Sequence, residues 1–260
     1  MNLSIVDWFG YNLTPKDRMR MIKEAGFAGV MLLWTNYFDE DYKQFPEYAR
    51  NAGLYIDNAH APYKQANPIW EDTINGQDAC QEIITCIKEC ALYDVPTLVM
   101  HPENKNGSEV ADLPYDFSIG IERFKRIVET AERLDVNVTI ENMSRPECLE
   151  QIFNNIQSER LGLCFDSGHW NLFTPDIDFL SLYGDRLMAL HLHDNNSTDD
   201  WHALPFTGNI NWSDIREKLS ETSYTGPIAL EVGNKNFEHI ETPSAFLALA
   251  LECAERLAGI

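Results

Sequence analysis

Nowhere in this 260-residue chain does an apolar run approach the ~20 residues a bilayer-crossing helix requires, so a helical membrane protein is excluded as a reading. The opening MNLSIVDWFG holds neither a basic leader nor an apolar core, so no signal peptide is read and a cytoplasmic location is expected. No CxxC occurs. The six cysteines, Cys80, Cys86, Cys90, Cys148, Cys164 and Cys253, fall in helix-like or strand-like runs, which suits reduced core thiols rather than a disulfide framework or a thiolate zinc site. No GxGxxG follows the first strand-like run, which argues against a dinucleotide-binding open sheet. Basic residues are also scarce, 20 against 41 acidic ones, giving a net charge of −21. Such a surface repels phosphate backbones and anionic membranes at long range, so neither nucleic acid nor membrane is the expected partner.

What is present is an alternation. Short β-type runs lie at Leu3 to Val6, Gly29 to Leu33, Leu54 to Asn58, Thr97 to Met100, Asn137 to Ile140, Leu161 to Phe165, Leu187 to Leu190 and Ile228 to Leu230. Helical patterns separate them. Gln77 to Tyr93 carries an apolar stripe at Cys80, Ile83, Ile84, Ile87 and Ala91, and Thr14, Pro15 and Asp17 form a capping sequence for the first helix. Asp116 to Leu134 and Pro243 to Leu257 read the same way. Eight strand–helix alternations without a linker predict an α/β fold, a (β/α)8 TIM barrel, as a single domain over residues 1–260. The rival is an open doubly wound sheet.

Strand parity tests the barrel separately, because side chains two residues apart on a strand share a face. Two residues before His60, His101, Glu141, Asp166, His191 and Glu231 stand Asn58, Val99, Thr139, Cys164, Ala189 and Ala229. All are small or medium, as a crowded barrel axis requires. The alternate positions Ala59, Met100, Ile140, Phe165, Leu190 and Leu230 are apolar and should face the helices. The polar residues are therefore expected to converge at one mouth.

Read in order, the strand ends are NAHAPY, VMHPE, TIENM, CFDSGH, LHLHD and ALEVGN, followed beyond the seventh strand by DDWHALPFTGNINW. Four carboxylates, Glu141, Asp166, Asp200 and Glu231, and five imidazoles, His60, His101, His169, His191 and His202, cannot share a mouth unpaired without large desolvation and repulsion costs. Divalent cations resolve that conflict, and mixed imidazole and carboxylate ligation without thiolate suits zinc, manganese or a similar ion. A network of buried polar residues is the alternative.

The ordered set HAP, MHP, IEN, CFDSGH, HLHD, DxH and LEV resembles the xylose isomerase-like TIM-barrel superfamily, which holds sugar isomerases and epimerases and the endonuclease IV branch. The resemblance spans essentially the whole chain. It implies a metal held by Glu141, Asp166, His191 and Glu231, with His169 contacting substrate in the epimerase-like members. It also implies, on the endonuclease-like pattern, further ions at His60, His101, His169, Asp200 and His202 with Glu141 as a bridge, so one to three ions in all.

Two activities follow as expectations. A sugar or sugar-phosphate isomerase or epimerase would move a proton through an enediolate, with Glu141 and Glu231 as the proton-transfer pair or as ligands only. An endonuclease IV-like phosphodiesterase would use the ions to cleave abasic DNA; few basic residues, Lys64, Lys105, Arg145 and Lys235, stand near the mouth to hold it. A non-catalytic sugar-binding barrel is a third possibility. Among free-ketose epimerases an Arg usually follows the seventh-strand His shortly, whereas here His191 is followed by LHDNNSTDDW. Candidate pocket residues are Trp8, Trp34, Tyr63, Trp170 and His193, with Phe9 beside them, and a homo-oligomer is compatible with all of this.

Overall fold

The computed structural model describes residues 2–36, 41–64, 66–104, 116–237 and 240–259; Lys105 lies outside them. Eight parallel strands alternate with helices: β1 Leu3–Val6, β2 Gly29–Leu33, β3 Tyr55–His60, β4 Thr97–Met100, β5 Asn137–Glu141, β6 Leu161–Asp166, β7 Leu187–His191 and β8 Ile228–Leu230. The sheet order is β7-β6-β5-β4-β3-β2-β1-β8. A short bridge at Leu192 and Leu230 joins the two ends, with Leu192 N–H donating to Ala229 at 2.9 Å and Glu231 N–H to Leu192 at 3.1 Å. The fold is a single-domain (β/α)8 barrel.

The helices are α1 Pro15–Ala25, α2 Phe45–Asn51, α3 Ile74–Leu92, α4 Phe117–Leu134, α5 Pro146–Asn155, α6 Ser167–Phe173, α7 Phe179–Tyr183, α8 Trp212–Glu221 and α9 Pro243–Ala258. Their caps are chemical. Thr14 accepts from Asp17 N–H at 3.2 Å to start α1, with Pro15 in the first turn, and Gly26 ends it with φ +115°, a conformation that only glycine adopts at little cost. Helix α3 begins three residues before the sequence pattern suggests, because Thr73 caps it by accepting from Gly76 N–H. The apolar stripe of α3 buries Cys80, Ile83, Ile84 and Ile87.

The parity expectation is met for the outward set, whereas Ala229, expected inward, joins the large core. Ala59, Met100, Ile140, Phe165, Leu190 and Leu230 join the large core between sheet and helices, while Val99, Cys164 and Ala189 form a separate small cluster inside the barrel. Four strands match their sequence ranges; β5, β6 and β7 run one residue further, taking in Glu141, Asp166 and His191. In β3 the register to β2 slips between Val30 and Met31, so that Asp57 is an extra, bulged residue.

Candidate active site

The C-terminal strand ends place the polar residues together. Glu141, at the end of β5 and fully buried, sits among four imidazoles: its Oε1 is 2.9 Å from His169 Nδ1, and its Oε2 lies 3.3 Å from His60 Nε2, 3.4 Å from His101 Nε2 and 3.3 Å from His191 Nδ1. Glu231, just beyond β8, approaches the same His191 nitrogen at 3.3 Å. One ligand atom from each of Glu141, Asp166, His191 and Glu231 falls within 4.8 Å of the other three.

The spacing of Asp166 and His169 has a local cause. Asp166 closes β6 and caps α6, accepting from His169 N–H at 2.7 Å, which fixes the imidazole on the first helical turn facing the same mouth. Asn142 clamps the strand end beside it, receiving Asp166 N–H at 2.8 Å and donating to its carbonyl at 2.9 Å. Gly168 leaves room for the His193 ring, which any Cβ there would strike.

The loop after β7 brings a second group. Asp200 Oδ2 is 3.2 Å from His202 Nε2 and 3.4 Å from His169 Nε2, and Oδ1 is 3.7 Å from His193 Nε2. His202 holds a left-handed backbone, φ +46°, unusual for a non-glycine residue. Paired hydrogen bonds between Asp194 and Ala203 and one from Gly233 N–H to the His202 carbonyl hold it there.

Two contacts show what these rings are prepared for. His60 Nδ1 donates to the Ala61 carbonyl at 2.8 Å, so in the neutral ring Nε2 carries a lone pair; that atom faces His101 Nε2 at 3.2 Å. His202 Nδ1 likewise donates to the Glu231 carbonyl at 2.9 Å, leaving Nε2 for Asp200. Nδ1 and Nε2 of His191, both Glu141 oxygens and Asp200 Oδ1 are buried without a well-formed hydrogen bond. Convergent lone pairs, unsatisfied carboxylate oxygens and no thiolate fit a divalent cation.

Electrostatics tell the same story for the protein alone. Burial pushes the Glu141 carboxyl up, but His101 and His191 overcome it and hold it well below the usual range. For Glu231 the same opposition, with His191 and His202 as the attracting charges, again ends below it. Burial alone would lower His169 and His191, yet the surrounding acids, chiefly Asp166 for His169 and Cys164 and Glu231 for His191, raise both well above an ordinary imidazole. His202 rises to about 10 against its own burial, driven by Asp200, which is itself held far below a normal carboxyl despite burial. At His101 burial prevails, and the ring is lowered although Glu141 opposes it. In the protein alone, imidazolium supplies the positive charge that balances these acids.

A cavity of about 770 Å³ opens above this floor, with His60, His101, His169, Asp200, His202 and Glu231 on its wall. Trp8 and Tyr63 line it, as their sequence positions suggest. Three pocket expectations are corrected. Trp34 is fully buried away from the cavity, its indole N–H donating to Glu89 at 2.9 Å; Trp170 packs behind α6 and donates to the Ile177 carbonyl at 2.9 Å. His193 lies beneath the cavity, 3.1 Å from Asp166 Oδ1 and stacked on His202 at 4.2 Å. Phe9 is core, stacked on Phe246. Sequence reasoning does not find the apolar wall of Leu172, Phe173 and Met143. The first two lie three and four residues after His169 on α6, a helical spacing that could have revealed them.

A barrel whose strand ends gather carboxylates and imidazoles defines a class before it defines a protein. The pattern of the xylose isomerase-like TIM barrel family matches residues 19–251, and the chain belongs to that family. Among curated relatives, the uncharacterized protein MJ1311 of Methanocaldococcus jannaschii is 32% identical over 68% of this chain and 64% of its own length. The chain spans between 34% and 64% of the lengths of the curated relatives it matches. Two solved structures share the fold across the whole chain. A D-tagatose 3-epimerase-like protein superposes with a TM-score of 0.77 at 24% identity, covering 99% of that chain, and an IOLI protein with a bound zinc atom with 0.80 at 15%, covering 98%.

Proposed function

We propose that this protein is a divalent-metal-dependent sugar or sugar-phosphate isomerase or epimerase that moves a proton between neighbouring carbons of a hydroxy-carbonyl substrate through an enediolate. The observation that carries the reading is the grouping of Glu141, Asp166, His191 and Glu231 within 4.8 Å, at the floor of a cavity onto which Glu231 opens. The likeness to a D-tagatose 3-epimerase-like protein and to a zinc-bound barrel supports it. A zinc, manganese or similar ion held by those four residues would supply Lewis-acid polarisation of the substrate's oxygens and acidify the neighbouring C–H.

The remaining chemistry belongs to the chain. Glu231, kept ionised by His191 and His202, is a base open to the cavity. Glu141, from a different strand and enclosed beneath the cavity floor, is the second carboxylate of the pair. Trp8, Tyr63 and Phe173 offer apolar faces on which a sugar's C–H surfaces can lie, and His169 reaches the same space. Solvent deuterium incorporation into a panel of ketoses, inososes and sugar phosphates by the metal-loaded protein is the test. Exchange at one carbon is expected, falling on the order of 10²-fold or more in Glu231→Gln and Glu141→Gln. Near-normal exchange in either loaded variant would leave that residue a ligand alone.

A second reading is favoured by one specific observation. His193, Asp200 and His202 form a further potential ligand group beside the first, and His101, Glu141 and His169 another. Several ions in a row suit phosphodiester cleavage. Against it, Lys235 is the only Lys or Arg among the described residues lining the cavity. Efficient cleavage of an abasic-site duplex at low salt, lost in Glu141→Gln, would replace the isomerase reading.

A further inference from the structure

Below the site, the interior of the barrel contains polar groups that the chemistry above does not use. The inward positions one step down the strands are Ser4, Asn58, Val99, Thr139, Cys164 and Ala189, all buried and all small or medium. Thr139 Oγ1 and both amide atoms of Asn58 make no hydrogen bond to protein. Tyr55 Oη and Asp57 Oδ2 are in the same condition, and so is His191 Nε2. Leaving that many buried polar atoms unbonded is costly, and small side chains around a polar axis provide the space and partners that ordered water needs.

Asp57 reaches this space through the β3 bulge. Period-two alternation carries Tyr55 inward and Ile56 out into the main core; the extra residue then lets Asp57 and Asn58 turn inward in succession before Ala59 returns to the core. Asp57 is half-buried, with Oδ2 enclosed; it is hydrogen-bonded to Ser4 from β1 and interacts electrostatically with Tyr55 from β3, His191 from β7 and Tyr224 from the segment before β8.

We propose that Asp57 is a positioning residue for His191, accepting the ring's inner N–H through ordered water held among Ser4, Asn58 and Thr139. His191 turns Nδ1 toward Glu141 and Glu231, and its other nitrogen, Nε2, is buried without a well-formed hydrogen bond to protein. A histidine that ligates a metal generally gives its other N–H to a carboxylate, carbonyl or water, which fixes its tautomer and ring orientation. Asp57 is the carboxylate placed to end that chain. The inference rests on the proposed function only in giving His191 its role at the site.

The test compares wild type, Asp57→Leu, Asp57→Asn and Cys164→Ala, each checked by circular dichroism, with two readouts. The first is zinc affinity by competition with a chromophoric chelator. The second is the His191 side-chain N–H resonance in 15N-edited spectra, recorded with and without zinc. Asp57→Leu is expected to weaken zinc by about 10- to 100-fold and to speed solvent exchange of the His191 proton until its signal is lost. Asp57→Asn keeps the shape and one acceptor oxygen, so the signal should persist but shift, with a smaller affinity loss. Cys164→Ala removes the sulfur that also lies near His191, and should leave the signal in place. Unchanged signal and affinity in both Asp57 variants, or loss of the signal in Cys164→Ala alone, overturns the proposal. If wild type binds no zinc, the functional reading fails by itself, while the metal-free His191 signal still decides the role of Asp57.

Discussion

The Asp57→Asn substitution should make the metal-free protein more stable at neutral pH. Burial lifts the Asp57 carboxyl from 3.8 to about 7, against the opposing pull of His191 and Ser4. Because the folded-state value is the higher one, the native chain binds this proton more tightly than the unfolded chain between pH 3.8 and 7. Stability contributed through this group therefore falls as pH rises across that window, and the penalty is complete above it. A proton held about a thousandfold more tightly in the folded chain corresponds to about 4 kcal/mol, at roughly 1.4 kcal/mol for each factor of ten. The side chain retains some solvent contact, so about 2–4 kcal/mol is the fairer range, or a Tm rise of roughly 5–10 °C at pH 8 for a chain of this size. Well below pH 3.8, where both states hold the proton, the two proteins should melt together, and the gap should already be opening at pH 4.5. Thermal scans in chelator at pH 4.5, 6 and 8 read the difference directly. A Tm gap that does not widen with pH would refute the reasoning, and would mean that Asp57 ionises freely in the fold.

Three further outcomes are expected. Wild type purified without chelator should carry a divalent metal, and an Asp166→Asn, His191→Ala double variant should lose it by elemental analysis; equal, near-zero content in both under replete conditions would dismiss the site. Zinc binding at pH 7.5 should release protons, because His169 and His191 stand well above their ordinary pKa and His202 at about 10, and ligation requires neutral rings; calorimetry in buffers of differing ionisation enthalpy that finds no release would contradict those protonation states. Trp8→Ala should raise the KM of whichever sugar exchanges deuterium, whereas Trp34→Ala should cost about 3–5 kcal/mol of stability as a core truncation, and the reverse pattern would misplace both rings.

Much of the candidate site is legible in the sequence because its residues sit at strand ends, where a period of two and a polar terminus leave a plain mark. Glu141, Asp166, His191 and Glu231 follow Thr139, Cys164, Ala189 and Ala229 at the same interval, and the chain folds so that all four meet. What the sequence does not display depends on exceptions to that period. The β3 bulge adds a residue with no compositional signal, so the inward turn of Asp57 is visible only once Val30 and Met31 are seen to pair with Ile56 and Asn58. Trp34 and Trp170 stand just after strand ends and by position belong to the pocket, but Glu89 on α3 and the Ile177 carbonyl offer their N–H groups partners elsewhere. His193 follows the parity of His191 inward, and Asp166 draws it below the floor.

Charge also bears on what the cavity can hold. A duplex must be gripped over many phosphates outside the reacting position, and that grip comes from lysine and arginine spread around a mouth. Here the described cavity rim adds Asp199 and Asp200 to Glu231 and sets one exposed lysine, Lys235, against them. Positive charge is instead concentrated on the floor, as imidazolium in the bare protein and as metal in the proposed one, enclosed by walls of Trp8, Leu172 and Phe173. A compact ligand with a few oxygens to present downward and C–H faces to present sideways meets both halves of that design. An extended polyanion meets only the floor, and must pass an acidic rim to reach it.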